Sequence, residues 1–269
     1  MITKLSPTTD ARIRQQQLLS QVMRPATLSL LEKARDREGG NALCLDCGEG
    51  EVVFHLAGLI GHNENVTGID PSRENIQTAR QLAVIKKIGN ADFYENDKFQ
   101  CPTEGYFGLV YGCLQLTRPF DPDALIRKTC NFLRMGGIAL FEVIDFSTFF
   151  STPKNFAFER FIEVCAALID HHWGDLACRD QMAQSLACSG FHPVEQQYVA
   201  PAFLRGKSRN LPSLTLASIQ DEVIRQKLAT QDELQVLLYE LKDFEQKPDS
   251  LISLPGIHQI WGKKTRPIF

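Results

Sequence analysis

The chain has 269 residues, of which 43% are hydrophobic, so it is long enough to bury one large core or two modest ones. Its 29 basic and 32 acidic side chains leave a formal charge of −3, which offers no general attraction for nucleic acid or an anionic membrane. No apolar run approaches the roughly 20 residues that span a membrane, and no secretory signal is visible. These features predict a soluble, cytoplasmic protein that binds neither nucleic acid nor membrane.

The cysteines number eight and lie mostly in apolar segments. In a chain without a secretory signal, we expect them to be reduced and buried. Cys44 and Cys47 have the spacing of half a zinc site, but no second Cys or His pair at ligand spacing accompanies them. We therefore predict no metal site.

The N-terminal part, residues 10–37, carries leucines and a valine at roughly helical spacing, and Pro25 interrupts this pattern. We predict two amphipathic helices here. Glycines at positions 39 and 40 then end the helical pattern.

From residue 42 onward, short apolar runs alternate with helical patterns. The runs cover 42–45, 66–69, 92–95, 109–114 and 138–143, and the helical patterns cover 51–60, 73–88 and 123–134. Asp121-Pro122 predicts a helix start, and Gly136-Gly137 predicts a helix stop. Such alternation predicts βαβ units, and hence a parallel sheet with right-handed crossovers.

The remaining chain continues this mixture of helices and strands. We predict helices over 150–190, a strand over 192–203, two helices over 214–245 and a strand over 256–262. Thr230 is expected to open the second of those two helices with a capping box. The last two strands can form an antiparallel edge hairpin, with the helices between them over the carboxyl edge of the sheet.

The motif that carries chemistry runs from Leu43 to Val52 and continues at the next strand, which ends in Asp70. Gly48 and Gly50 allow a ligand to approach the backbone, and the following helix start offers free N–H groups. Asp70 lies 20 residues after Gly50, the spacing of an acid that accepts both ribose hydroxyls.

Asn96-Asp97 follow the third predicted strand, where an acid can meet the edge of an adenine. The loop after the first strand, Asp70 after the second and Asp97 after the third would together line an adenosine bound across the ends of the strands. The alternative for the glycines is a tight turn without a ligand, and the alternative for each acid is a solvated loop or a helix cap.

In its order and spacing, segment 41–145 resembles a class I S-adenosylmethionine-dependent methyltransferase of the ubiquinone/menaquinone-biosynthesis type. The motifs that carry the resemblance are Gly50-Glu51-Val52, Gly68-Ile69-Asp70, Asn96-Asp97, the run 107–111 and the run 133–137. The tail is similar to a bacterial small-molecule subgroup with a helical cap, through 214–216, 228–230, 240–241 and 259–262.

The resemblance implies an α/β fold with a Rossmann-like, seven-stranded, mostly parallel sheet whose last strand is antiparallel, plus N-terminal helices and a helical cap. We divide this one overall domain into lid helices (1–40), the cofactor-binding core (41–145), a helical cap segment (146–191) and edge strands with inserted cap helices (192–269). The implied cofactor is S-adenosylmethionine and the implied partner is a small-molecule acceptor, while a homodimer stays open. The residues expected at the cofactor are Asp46, Gly48, Gly50, Asp70, Pro71, Asn96, Asp97 and Leu114.

The chain also departs from the family pattern. Cys44 stands where the family usually has its first acidic residue, Asp46 where it has its first glycine, and Gly108 where an Asp is common. Side chains two apart on a strand share a side, so Asp46 can take over polar contacts to the methionine half of the cofactor. A side chain in a glycine position can instead strain the turn, by about 1–3 kcal/mol. A methyltransferase fold without catalysis, acting as a binding or regulatory protein, is therefore the alternative.

The expected reaction is an in-line displacement of the sulfonium methyl, for which positioning and exclusion of water matter most. A phenol or enol acceptor would benefit from a general base, for which His171, His172 and His258 are candidates. Tyr111 and Arg118 are placed after the fourth strand and are expected to line the acceptor pocket.

Aromatic residues after the fifth strand, among them Phe146 and Phe149, suit either core packing, which we favour, or a pocket for an apolar or aromatic acceptor. A nicotinamide-dependent oxidoreductase is a third hypothesis. It is disfavoured because Val53 stands where the dinucleotide fingerprint needs its third glycine.

Overall fold

The structure is a computed structural model that describes residues 7–33, 39–116, 121–173, 178–199 and 203–267. Its helices are α1 (Pro7–Lys33), α2 (Glu51–Ile60), α3 (Arg73–Ile85), α4 (Pro122–Phe132), α5 (Phe156–Trp173), α6 (Cys178–Cys188), α7 (Leu211–Arg225) and α8 (Gln231–Gln246). Its strands are β1 (Ala42–Leu45), β2 (Val66–Asp70), β3 (Ala91–Glu95), β4 (Phe107–Gln115), β5 (Leu133–Asp145), β6 (Ser151–Thr152), β7 (Phe191–Val199), β8 (Leu251–Ile252) and β9 (Gly256–Lys264).

Seven of these strands form one sheet in the order β3-β2-β1-β4-β5-β9-β7. The neighbours from β3 to β5 pair in parallel, whereas β9 pairs antiparallel with both β5 and β7. The predicted seven-stranded, mostly parallel sheet with an antiparallel last strand is therefore confirmed. Strands β1 and β2 are buried along their whole length, as expected for central parallel strands covered on both faces.

The N-terminal segment corrects one prediction. The chain forms a single helix through Pro25, where the sequence predicts two helices broken at that residue. A proline inside a helix removes one backbone hydrogen bond and crowds the preceding turn. Here the side chains of Met23, Leu30 and Leu31 are all buried against the rest of the protein, so packing on both sides of the proline keeps the helix continuous.

Gly136-Gly137 also differ from their prediction as a helix stop. Helix α4 ends at Phe132, and both glycines lie within β5. The pairing of β4 with β5 shifts register between Phe107 and Leu109. A Cβ at Gly137 would lie 2.9 Å from the Leu133 side chain and 3.0 Å from backbone oxygens, so this glycine permits a close approach at an irregular strand start.

The two predicted helix starts are confirmed. Asp121 accepts a hydrogen bond from the Ala124 N–H at 3.0 Å, with a proline opening the helix. The Thr230 hydroxyl accepts from the Glu233 N–H, and the Glu233 carboxylate accepts in return from the Thr230 N–H. This reciprocal pair is the predicted capping box.

Three apolar clusters organise the interior of the described part of the chain. One lies between one sheet face and helices α1, α2 and α3, and a second lies between the opposite face, α4 and α6. The third, which we call the cap cluster, joins the end of β5 to side chains of α1, α5, α7 and α8. Strand β7 ends, and β9 begins, beside the end of β5, so the segment carrying α7 and α8 leaves and rejoins the sheet at its carboxyl edge.

Within the described ranges, no helix combines the length and the apolar character needed to cross a lipid bilayer.

Candidate functional site

The loop after β1, residues 46–50, makes a turn with repeated left-handed backbone. Asp46, Gly48 and Gly50 have φ angles of +49°, +56° and +88°. This conformation is easy for glycine and uncommon for other residues, although Asp adopts it more readily than most. Asp46 therefore holds the backbone geometry of a glycine position while carrying a carboxylate.

The expected orientation of Asp46 rests on strand geometry that does not extend to this residue. Alternation along a strand places its side chain on the same side as Cys44 only if the strand continues. Strand β1 ends at Leu45, and Asp46 is exposed whereas Cys44 is buried. The left-handed backbone at Asp46 ends the strand alternation, so its contact with the methionine half of the cofactor stays a prediction.

Asp70 connects the glycine loop to the second βα unit. Its carboxylate is buried, and its Oδ2 accepts a 2.9 Å hydrogen bond from the Gly48 N–H. Its Oδ1 accepts from the Ser72 N–H at 2.8 Å and from the Asn75 amide at 3.1 Å. Because a carboxylate oxygen can accept two hydrogen bonds, Oδ2 retains the capacity to accept one from a ligand hydroxyl.

The space beside the loop differs between its glycines. A Cβ at Gly50 would lie 2.8 Å from the Phe93 ring and 3.0 Å from the Phe54 ring, whereas a Cβ at Gly48 would meet nothing within 4 Å. Phe54 and Phe93 contact each other edge to face, with centroids 5.7 Å apart. The aromatic pair thus supports the loop from below at Gly50, and the loop is open at Gly48.

The thiols near the loop are neutral. Burial raises the pKa of Cys44 and of Cys47, and the carboxylates of Asp46 and Asp70 raise both further. The expectation that the cysteines are buried is confirmed for Cys44 and Cys47. It is wrong at Cys188, which is exposed.

Other residues predicted at the cofactor lie at the same edge of the sheet. Pro71, Asn96 and Asp97 are exposed, and the Asn96 N–H donates to the Asp70 carbonyl at 3.1 Å. The ends of β2 and β3 are thereby joined. Leu114 differs, since it is buried in the cluster between the sheet, α4 and α6.

Helix α1 lies over the loop, through side-chain contacts that were not predicted from the sequence. The Gln17 amide donates to Glu49 at 2.7 Å, and the Ser20 hydroxyl donates to Glu51 at 2.8 Å. Arg24 also pairs with Glu51 at 3.4 Å. In the sequence, these contacts are indicated only by the two acidic residues that follow Gly48, namely Glu49 and Glu51.

Near its N-terminal end, α1 also contacts the tip of β4. The fully buried Gln15 donates from Nε2 to the Gln115 Oε1 at 3.3 Å. The Gln15 Oε1 is buried and has no hydrogen-bond partner among the described residues. A buried polar atom without a partner is unusual in a folded protein.

Tyr111 does not follow the fourth strand, and this prediction is wrong. It lies within β4 and is buried, and its hydroxyl donates to the Glu142 carboxylate at 2.6 Å. Thr27 and Gln259 also donate to Glu142, at 2.7 and 2.6 Å. Burial raises the pKa of Glu142 and, together with that carboxylate, the pKa of Tyr111. The other predicted pocket residue, Arg118, lies outside the described residues.

Phe146 and Phe149 lie in the cap cluster. Both are buried, and their rings stack with centroids 5.8 Å apart. Phe149 also contacts the rings of Phe158 and Phe161. The aromatic run therefore forms packed core between the sheet end and the cap helices.

The three candidate bases lie in two places. His171 and His172 end α5 with their rings 5.5 Å apart, and His258 on β9 packs 4.8 Å from the Tyr198 ring. The His172 Nε2 is buried and lies 3.9 Å from the Glu222 carboxylate. Burial, followed by the charges of His171 and Arg225, lowers the pKa of His172.

Over the described ranges, no three His, Cys, Asp or Glu side chains are grouped so as to hold a metal ion.

Comparison with known families identifies the class of protein. Residues 36–183, more than half of the chain, match a family described as a methyltransferase domain, and the chain belongs to this family. Membership confirms the predicted cofactor class, S-adenosylmethionine. The finer resemblance to the ubiquinone type stays a prediction. A search of curated proteins found no match.

Solved structures show the same fold at low sequence identity. The YcgJ protein from Bacillus subtilis is 15% identical with a TM-score of 0.55, covering 90% of this chain and 99% of its own. A putative methyltransferase from Bacillus halodurans is 14% identical with a TM-score of 0.55, covering 89% and 99%. Haemonchus contortus phosphoethanolamine N-methyltransferase 2, solved with phosphomonomethylethanolamine and S-adenosylhomocysteine, is 18% identical with a TM-score of 0.54. That match covers 90% of this chain, which spans 53% of the Haemonchus enzyme.

The geometry suits a cofactor of this kind. Gly48 offers open space beside the backbone, Asp70 retains acceptor capacity, and Gln15 presents an unpartnered carbonyl oxygen. All three lie around the carboxyl ends of β1, β2 and β4, the edge at which open α/β sheets bind ligands.

Proposed function

We propose that the protein transfers a methyl group from S-adenosylmethionine to a small, apolar or aromatic acceptor. The observation that carries the proposal is the 2.9 Å contact between the Asp70 carboxylate and the Gly48 N–H. It joins the acid expected at a ribose to the loop expected at the rest of the cofactor. When bound, the cofactor supplies an electrophilic methyl group on a cationic sulfur.

The residues that would hold the cofactor are those of the loop and the neighbouring strand ends. Asp70 would accept from the ribose hydroxyls, Gly48 would allow close approach, and Asp97 would meet the adenine edge. A charge-assisted hydrogen bond of this kind stabilises by about 1.5–3 kcal/mol. The main catalytic contribution of the chain is then positioning, since the sulfonium sulfur leaves as a neutral thioether and needs no general acid.

Helix α1 would exclude water from this site. Its contacts to Glu49, Glu51 and Gln115 place it across the loop and the tip of β4. Removing water strengthens electrostatic contacts and prevents hydrolysis of the donor. We assign to α1 the lid role that the sequence predicts for the N-terminal segment.

The apolar character proposed for the acceptor rests on the cap cluster. This cluster lies at the end of β5 and contains Phe146, Phe149, Phe158 and Phe161. These rings are packed core, so an acceptor at the carboxyl edge would contact the partly buried apolar side chains around them, such as Leu18, Val22 and Cys113. The acceptor class can be tested by transfer of a tritiated methyl group to a panel of phenols, terpene alcohols and fatty acids.

The alternative is a methyltransferase fold that has lost catalysis and acts as a binding or regulatory protein. It is favoured by Asp46, which occupies a left-handed glycine position, and by Asp70, which already accepts three hydrogen bonds from the protein. Under this reading, Asp70 stabilises the loop and holds no ligand.

Isothermal titration with S-adenosylmethionine and S-adenosylhomocysteine distinguishes the active methyltransferase from the fold that has lost catalysis. The proposal expects micromolar binding, weakened about tenfold to a hundredfold by Asp70→Ala and unchanged by the exposed control Asp249→Ala. No detectable binding at millimolar ligand would reject the enzyme and support the alternative.

A further inference from the structure

The Gln15 side chain is the feature of the site that the fold itself leaves unexplained. It is fully buried at the contact between α1 and the tip of β4, yet its Oε1 has no partner among the described residues. A buried amide oxygen without a hydrogen bond costs stability that an apolar residue of similar size would not. The position therefore suits a partner that is bound from solution.

We propose that the Gln15 Oε1 binds the α-ammonium group of S-adenosylmethionine, so that α1 contributes directly to cofactor recognition. This inference rests on the proposed function and assigns the amino-acid end of the cofactor to a residue outside the glycine loop. The chemistry matches, since a carbonyl oxygen only accepts hydrogen bonds, and an ammonium group offers three donors and no acceptor.

The strand below the loop supports this assignment. Cys44 on β1 is buried, and its thiol is kept neutral by burial, so it supplies no charge to hold an ammonium group. Asp70 directs its carboxylate to Gly48, Ser72 and Asn75. With Cys44 neutral and Asp70 held by the protein, an acceptor on α1 would complete the contacts of an ammonium group at the methionine end.

Helix α1 is held in a position to supply one. The turn after Gln15 is fixed to the loop by the 2.7 Å contact between Gln17 and Glu49. Gln15 itself is oriented by Gln115 at the end of β4. That strand neighbours β1, with Gly112 opposite Leu45, so the amide lies at the same edge of the sheet as the loop.

The test compares two ligands that differ at the amino-acid end. S-adenosylhomocysteine carries the ammonium group, whereas methylthioadenosine lacks the whole amino acid and keeps the adenosine. Isothermal titration of both ligands would be done on the wild type, Gln15→Leu, Gln15→Glu and the matched control Gln16→Leu. Gln16 neighbours Gln15 and is only half-buried.

We expect Gln15→Leu to weaken S-adenosylhomocysteine about tenfold or more and to leave methylthioadenosine unchanged. Gln15→Glu keeps an acceptor and should retain S-adenosylhomocysteine binding, and Gln16→Leu should behave as the wild type. Circular dichroism checks that each variant is folded. If Gln15→Leu misfolds, Gln15→Asn gives the same comparison, because its shorter side chain withdraws the amide by one methylene.

Equal losses for the two ligands, or an unchanged affinity for S-adenosylhomocysteine, would overturn the assignment of Gln15. A wild type that binds neither ligand would instead reject the proposed function, and this inference with it. The two failures are thus distinguished by whether methylthioadenosine binds the wild type.

Discussion

The Thr27 hydroxyl donates a 2.7 Å hydrogen bond to the Glu142 carboxylate, and so joins α1 to the middle of the sheet. Both residues are buried, and the same carboxylate accepts from Tyr111 and Gln259. Four elements (α1, β4, β5 and β9) therefore meet at one acid. This network fixes one half of α1, while the polar contacts at Glu49 and Glu51 fix the half above the loop.

Glu142→Ala should destabilise the protein strongly. The substitution leaves the buried donors of Thr27, Tyr111 and Gln259 without their common acceptor. Leaving buried donors unpaired costs about 1–3 kcal/mol each, so we expect the free energy of unfolding to fall by at least about 2 kcal/mol. Urea denaturation measures the loss. The exposed control Glu240→Ala should stay within about 0.5 kcal/mol of wild type, and equal midpoints for the two variants would contradict the role of the network.

Glu245 should make stability depend on pH. Burial raises its pKa from 4.5 to about 7, although the Ser213 N–H and hydroxyl donate to its carboxylate at 2.8 and 2.7 Å. A raised pKa means that the folded state holds the proton more tightly. Glu245 therefore contributes its full stabilisation of the folded state below pH 4.5, and this stabilisation is lost as the pH rises through about 7.

The matched variant Glu245→Gln tests this directly. It cannot ionise, so its stability should not show the decrease of about 3 kcal/mol that this shift produces in the wild type. Urea unfolding at pH values below 4.5 and above 7 gives the change in the free energy of unfolding with pH for the wild type and for the variant. Parallel curves for wild type and variant would show that Glu245 does not titrate as proposed.

Asp46→Gly should stabilise the loop. The φ angle of +49° at Asp46 is unfavourable for a residue with a Cβ, and its relief is worth about 1 kcal/mol. Asp46→Val should have the opposite effect, because a β-branched residue tolerates this backbone least. Thermal melting of the pair measures both changes, and a Val variant as stable as the Gly variant would argue against backbone strain.

Phe149→Ala distinguishes core packing from an open acceptor pocket. Because Phe149 is buried among other aromatic rings, we expect a loss of about 3–5 kcal/mol in the free energy of unfolding. The control Phe156→Ala removes a ring that is 81% exposed and should be nearly neutral. A Phe149 variant of wild-type stability would favour a pocket in place of packed core.

Much of the fold could be predicted from local pattern. The switch between period-two and helical spacing predicts β1 to β5 and the helices between them, because each element lies in one continuous segment. Asp70 could be placed at a strand tip for the same reason, since its position depends only on the length of one βα unit. The capping residues Asp121 and Thr230 act within a single turn and are equally visible.

Other features depend on contacts between distant segments and could not be predicted. The continuity of α1 through Pro25 is decided by packing against the sheet, which local helix preference does not include. Tyr111 belongs to a buried network because Thr27 and Gln259, far away in the chain, surround the same acid. The unpartnered oxygen of Gln15 becomes visible only once α1 is placed against the end of β4.

The position of β9 has a consequence for how the protein is made. Among the described strands, β9 comes last in the chain, yet it lies between β5 and β7 and is the strand that connects β7 to the sheet. While the ribosome is still synthesising the segment before β9, the parallel part from β3 to β5 can assemble, but β7 has no edge to join. Until then the aromatic side chains of α5 and α8 lack their final packing contacts and stay exposed. Exposed apolar surfaces of this kind favour aggregation and chaperone binding. Completion of the sheet, and of the cap above it, is thus deferred until translation of the last strand.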